Sequence, residues 1–71
     1  MILEVTAKDG TCIQIPDYEK ILYSTGMSER ECTNDLSKFS ISDGYTYNIK
    51  SKDGYLSING SEITRVQLFN D

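Results

Sequence analysis

The sequence predicts a mainly β fold, with an α+β fold as the alternative, built from about six short antiparallel strands. Runs of alternating apolar and polar residues recur along the 71 residues, and turns centred on glycine separate them. Paired residues of antiparallel strands have their side chains on the same face of the sheet. The length of each turn can therefore be chosen as the one that pairs apolar residues with apolar residues. The strands are predicted at about 2–7, 11–15, 36–41, 45–51, 55–58 and 62–68. We expect an N-terminal hairpin packed on a C-terminal meander as a small sandwich or barrel.

The first element is a hairpin whose register follows from its loop. A three-residue loop at 8–10 pairs Val5 with Ile13 and Leu3 with Ile15, which places all four apolar side chains on one face. This face is the predicted partner of the apolar face of the meander.

The long connection after the hairpin predicts a short helix. Pro16 can begin a helix, and the apolar residues of segment 18–22 fall at helical spacing, so we place the helix at about 17–24, closed by Gly26. The alternative is a strand that uses Ile21 and Tyr23, because periodicity does not separate the two structures in so short a run. The polar stretch from residue 29 to 35, which includes Cys32, is predicted to be an exposed loop.

Three further turns define the predicted meander. They are a three-residue loop at 42–44 and two-residue turns at 53–54 and 59–60. The expected pairs are Ile41 with Tyr45, Phe39 with Tyr47, Ile49 with Ile58, Ser51 with Leu56, and Leu56 with Ile63. Val66 and Leu68 then change parity, which predicts a bulge near Thr64-Arg65 or a last strand covered on both faces.

The meander is therefore expected to have one buried and one solvated face. The buried face comprises Phe39, Ile41, Tyr45, Tyr47, Ile49, Leu56, Ile58 and Ile63. The solvated face comprises Lys38, Ser40, Thr46, Asn48, Lys50 and Ser57.

Composition limits the classes of function. The net charge of −4 and the pI near 4.6 disfavour direct nucleic-acid binding, which depends on clustered Lys and Arg. The apolar runs are too short for a signal peptide or membrane span, so we expect one cytoplasmic domain over residues 1–71 that has no membrane partner.

The residue types argue against catalysis. The chain has no histidine, which removes the commonest general base and the commonest metal ligand. Cys12 and Cys32 are too few for a zinc site, and are expected to be either free thiols or a disulfide. We therefore predict no enzyme activity and no catalytic, metal-binding or cofactor-binding residues.

Aromatic, methionine and acidic residues of the long connection, together with one tyrosine of the meander, are the candidate partner contacts. They are Tyr18, Tyr23, Met27, Glu29, Glu31, Asp35 and Tyr55. The expected function is a non-catalytic module that binds and inhibits a larger protein, as small acidic proteins of phages and mobile elements often do. One alternative is a homo-oligomer that binds or sequesters a small ligand at its subunit interfaces. The other is a nucleic-acid mimic that occupies a basic groove.

Overall fold

The structure, a computed structural model, describes residues 1–24, 27–37 and 39–70 and confirms the mainly β class. The strands are β1 (Ile2–Ala7), β2 (Cys12–Ile15), β3 (Tyr18–Ser24), β4 (Glu29–Cys32), β5 (Thr46–Ser51), β6 (Gly54–Asn59) and β7 (Ile63–Phe69). A single 3-10 turn over Gly60–Glu62 is the helical element of the described chain.

The strands form two antiparallel sheets that share one core. Sheet A has the order β2-β1-β7, and sheet B has the order β4-β3-β5-β6. Their buried side chains are Leu3, Val5, Ile15, Tyr18, Ile21, Tyr23, Cys32, Tyr47, Ile49 and Ile63. The sheets do not close into a barrel, so the architecture is the sandwich of the two predicted alternatives.

The N-terminal hairpin has the predicted register. Leu3 lies opposite Ile15 and Val5 opposite Ile13. Leu3 and Val5 are fully buried, because this face packs against sheet B.

The predicted helix at 17–24 is wrong, and the alternative strand is correct. Asp17 has a positive φ of 55° and follows Pro16, a pattern typical of a type II turn, so the chain reverses directly from β2 into β3. A register shift between Tyr18 and Lys20 adds one residue to β3. This bulge puts Tyr18 on the same face as Ile21, and the resulting three-residue spacing imitates a helix. Gly26, predicted to close the helix, lies outside the described residues.

Two predictions that follow β3 are also wrong. Residues 29–32 of the predicted loop form β4, because they pair with β3, and Cys32 lies opposite Ile21 and is buried. Residues 36–41 of the predicted strand form no strand where they are described, and Lys38 lies outside the described residues. Phe39 still packs against the core, because a loop can place an apolar side chain there without strand pairing.

The second hairpin turns one residue earlier than predicted. Ser51 lies opposite Gly54, and Ile49 lies opposite Leu56, so the turn residues are Lys52 and Asp53. The Ser51 hydroxyl accepts a hydrogen bond from the backbone N–H of Asp53 at 3.3 Å, which stabilises this turn. The shift moves each partner by two positions, and the predicted faces are preserved.

The turn at Asn59-Gly60 does not form a hairpin. The Asn59 side chain accepts a hydrogen bond from Ser61 N at 3.1 Å and caps the 3-10 turn. The chain then leaves sheet B, and β7 pairs with β1, so the predicted pairing of Leu56 with Ile63 is wrong.

The predicted bulge near Thr64-Arg65 is confirmed. Thr6 lies opposite Arg65 and Ala7 opposite Ile63, which leaves Thr64 as the extra residue of β7. The Thr64 hydroxyl donates a hydrogen bond to the carbonyl oxygen of Thr6 at 3.1 Å.

Candidate partner-binding surface

The hairpin of β3 and β4 positions most of the predicted contact residues. β4 is an edge strand of sheet B, and Glu29 and Glu31 lie opposite Ser24 and Leu22. Both glutamates therefore point to the outer face of the sheet, where they are exposed. Because β4 pairs with β3 alone in the described chain, backbone N–H and C=O groups on its other side are available to a partner.

The negative charge of this edge is partly compensated. The Lys20 Nζ atom lies 3.7 Å from Glu31 Oε1, with the two side chains 33% and 52% exposed. Arg30 adds a second cation beside the glutamates, on the face that carries Tyr23. Acidic and basic side chains therefore alternate along β4, with the acidic ones on the outer face. The net negative charge of this edge is smaller than Glu29, Glu31 and Asp35 alone would give.

Met27 is the most exposed large hydrophobic residue of the described chain. It precedes β4, and its exposed fraction is 97%. We define the β4 surface as Met27, Glu29, Arg30, Glu31, Thr33 and Asp35. A groove of about 410 Å³ lies along it, lined by Tyr23, Arg30, Glu31, Cys32, Thr33, Asp35 and Phe39.

Asp35 lines this groove, and a hydrogen bond fixes its side chain. Its Oδ1 atom accepts a hydrogen bond from the backbone N–H of Ser37 at 2.9 Å. The hydrogen bonds from Ser37, first from its backbone and then from its side chain, lower the pKa of Asp35. The carboxylate is therefore charged at neutral pH.

Tyr18 and Cys32 lie beneath this surface and hold it in place. The Tyr18 hydroxyl lies 2.9 Å from the carbonyl oxygen of Cys32 and 2.7 Å from that of Thr33. The Cys32 thiol donates a hydrogen bond to the carbonyl oxygen of Asp35 at 3.0 Å. Burial, and secondarily the charge of Asp35, raises the pKa of Cys32, so the thiol stays protonated.

Tyr23 also lies in the core rather than on the surface. Its ring packs edge to face on Phe39 at a centroid distance of 5.5 Å and at 5.3 Å from the ring of Tyr47. The Tyr47 hydroxyl donates to the carbonyl oxygen of Ser40 at 2.7 Å and accepts from Ser42 N at 3.0 Å. This aromatic cluster fixes the loop that forms the far wall of the groove. Tyr18 and Tyr23 thus support the surface from below.

Tyr55 lies on the same outer face as the glutamates but on the opposite edge strand of sheet B. It is 63% exposed, and Lys50 Nζ lies 5.4 Å from its ring centroid. Three strand spacings separate β6 from β4, or about 14 Å. The structure therefore places Met27, Glu29, Glu31 and Asp35 on β4 or within a few residues of its ends, and leaves Tyr55 apart from them.

Arg30, Thr33 and Phe39 line the groove but were not predicted as contact residues. Residues 29–31 are all exposed and Cys32 is buried, so this segment has no alternation of apolar and polar residues that could have identified a strand. A single apolar position does not separate a strand from a polar loop, so Arg30 could not have been found in this way.

Within the described residues, no group of three or more acidic or cysteine side chains could hold a metal ion. Among the same residues, no helix is long and apolar enough to cross a membrane. Comparison of the chain with protein-family models, with curated proteins and with solved structures gives no match.

Proposed function

We propose that this protein is a cytoplasmic, non-catalytic binding module whose β4 surface docks on a larger protein and inhibits it. The observation that carries the proposal is the exposure of Met27, at 97%, beside an open strand edge that bears Glu29 and Glu31. An unbranched, polarizable methionine adapts to an irregular partner surface, and burying it there contributes binding free energy.

The open edge of β4 supplies the second part of the contact. A segment of the partner can add a strand to this edge, with affinity from main-chain hydrogen bonds and specificity from the groove beside it. The wall formed by Phe39 and Asp35 offers an apolar surface and a carboxylate within that groove. A partner segment with an apolar residue next to a basic one fits this arrangement.

Charge defines the partner more closely. Glu29 and Glu31 lie on the outer side of β4, which suits a basic partner surface and raises the rate of association. The ion pairs of Lys20 with Glu31 and of Lys50 with Glu19, each at 3.7 Å, interrupt the acidic area of this face. This mixture of charges favours a protein partner over mimicry of nucleic acid, which needs a continuous row of negative charges.

The experiment combines identification of the partner with paired charge reversals. Once a partner is captured from the source cells, its affinity is measured for Glu29→Lys with Glu31→Lys. We expect association to slow about tenfold at low salt, with a weaker salt dependence. The control is Asp53→Lys with Glu62→Lys, which makes the same change in net charge at two exposed positions outside the β4 surface.

A second variant tests the apolar contact. Met27→Ala should weaken partner binding and leave thermal unfolding unchanged, because the side chain makes little contact with its own chain. If the control pair slowed association as much as the glutamate pair did, and Met27→Ala bound like the original protein, the β4 surface would be the wrong one.

A further inference from the structure

β7 offers a second open edge, on sheet A, in a different sheet from β4. Within the described residues this seven-residue strand pairs with β1 alone. Val66 and Leu68 point towards the core but are only half-buried, and Phe69 on the other face is 39% exposed. A long edge strand with incompletely covered apolar residues is a template for pairing with another chain.

A groove follows this edge. It has a volume of about 470 Å³ and is lined by Met1, Asn34, Leu36, Val66, Gln67, Leu68 and Asn70. Val66 and Gln67 belong to opposite faces of β7, so the groove follows the edge of the strand, and Asn34 and Leu36 form its other wall. Within the described residues, no backbone hydrogen bond joins this side of β7 to another segment, so its backbone groups can pair with a partner strand.

We propose that a second copy of this chain occupies this edge, with the two β7 strands antiparallel across a two-fold axis at Gln67. The bulge at Thr64 interrupts β7, and residues 65–69 after it pair regularly with β1. Gln67 is the midpoint of this regular stretch, so an axis there pairs its whole length with the same stretch of the other copy. The product is a continuous six-stranded sheet with the order β2-β1-β7-β7-β1-β2.

The side chains are self-complementary in this register. Val66 of one copy lies opposite Leu68 of the other on the inner face, and Arg65 lies opposite Phe69 on the outer face. Arg65 is the only charged residue of β7, so no like charges are opposed. An antiparallel pairing of β4 with its own copy about Arg30 would instead oppose Glu29 to Glu31, which is destabilising.

The size of the contact sets the expected affinity. Five paired residues form a smaller interface than the roughly 800 Å² per partner of stable complexes, so we expect a dimer that dissociates on dilution. Sedimentation velocity over a wide range of concentration should show a monomer that converts to a dimer. A strict monomer at every concentration would overturn the proposal.

Charge substitutions at the axis test its position. The Gln67 side chain is half-exposed on the outer face, where its Oε1 atom accepts a hydrogen bond from Arg65. Gln67→Glu or Gln67→Lys places two like charges opposite each other and should weaken the dimer about fivefold. An equal mixture of the two variants should restore it, because Glu then faces Lys. An unfolded variant could not give this rescue.

The matched controls lie on β6, the other long edge strand. Ser57→Glu and Ser57→Lys introduce the same charges at an exposed outer-face position and should leave dimerisation unchanged. If these variants dissociated the dimer while the Gln67 variants did not, the dimer would form through β6. If Gln67→Glu strengthened the dimer, Gln67 would face Arg65, and the proposed axis would be wrong.

Discussion

The Tyr18 hydroxyl lies 2.7 Å from the carbonyl oxygen of Thr33, which ties the beginning of β3 to the residue that follows β4. The backbone N–H of Tyr18 donates to the carbonyl oxygen of Met1 at 3.1 Å, in the chain that leads into sheet A. One residue therefore connects the two sheets and fixes the end of the β4 surface.

We expect Tyr18→Phe to lower the free energy of unfolding by about 1–3 kcal/mol, because it leaves the buried carbonyl group of Cys32 and the partly buried one of Thr33 without their donor. Amide hydrogen exchange should also accelerate in β4 more than in β1. Tyr55→Phe removes the same hydroxyl from an exposed ring and should change neither quantity. Equal stability of the two variants would show that the Tyr18 hydroxyl does not hold β4.

Gly60 lies where the chain crosses from sheet B to sheet A, against the loop that precedes β5. A Cβ atom on Gly60 would lie 1.9 Å from the carbonyl oxygen of Ser42, and a backbone atom cannot give way as a flexible side chain can. We expect Gly60→Ala to lower the free energy of unfolding by about 3 kcal/mol, measured by urea denaturation. At Gly44 a Cβ would meet nothing within 4 Å, so Gly44→Ala should stay within about 0.5 kcal/mol of the original.

The two thiols should differ in reactivity. Cys12 is exposed, whereas Cys32 is 8% exposed, and burial raises its pKa. A thiol reagent near neutral pH should therefore modify the native protein once, at Cys12, and a second time only after denaturation. The folded Cys12→Ser variant should not react with the thiol reagent. Rapid modification of that variant would show that Cys32 is open to solvent.

Acid should destabilise the protein partly through Asp35. Hydrogen bonds from Ser37 lower its pKa below 3.8 in the folded state, so the unfolded chain binds the proton more readily. The stabilisation is present above pH 3.8 and is lost as the pH falls through the lowered value.

Asp35→Asn should therefore show a shallower loss of stability on acidification, measured by denaturation midpoints at a series of pH values. Asp9→Asn should behave similarly, because the backbone of Thr11 lowers the pKa of Asp9 in the same way. The contribution of Asp35 would be contradicted if the two proteins lost stability in parallel as the pH fell to the acid limit of the measurement.

Features that depend on residues close together in the chain follow from local sequence patterns. The register of the first hairpin follows from its three-residue loop, because a slip by one position would turn Val5 and Ile13 to solvent. The bulge at Thr64 follows from the spacing of Ile63 and Val66, which are an odd number of residues apart. An extra residue must lie between them if both side chains are to face the core. On the candidate surface, the exposure of Glu29, Glu31 and Met27 could likewise be predicted from the local polarity of the chain.

Features that depend on partners far away in the chain are set by the packing of the whole fold. Segment 18–24 has a bulge that imitates helical spacing, and its strand form exists because β5 and β4 pair with its two edges. The turn after Asn59 has the local signal of a hairpin, yet β7 leaves for β1, at the other end of the chain. Pairing between distant segments depends on how the whole core packs, and no short stretch of residues encodes it. The same pairing buried Tyr23 and exposed the edges of β4 and β7, where we place the two binding surfaces.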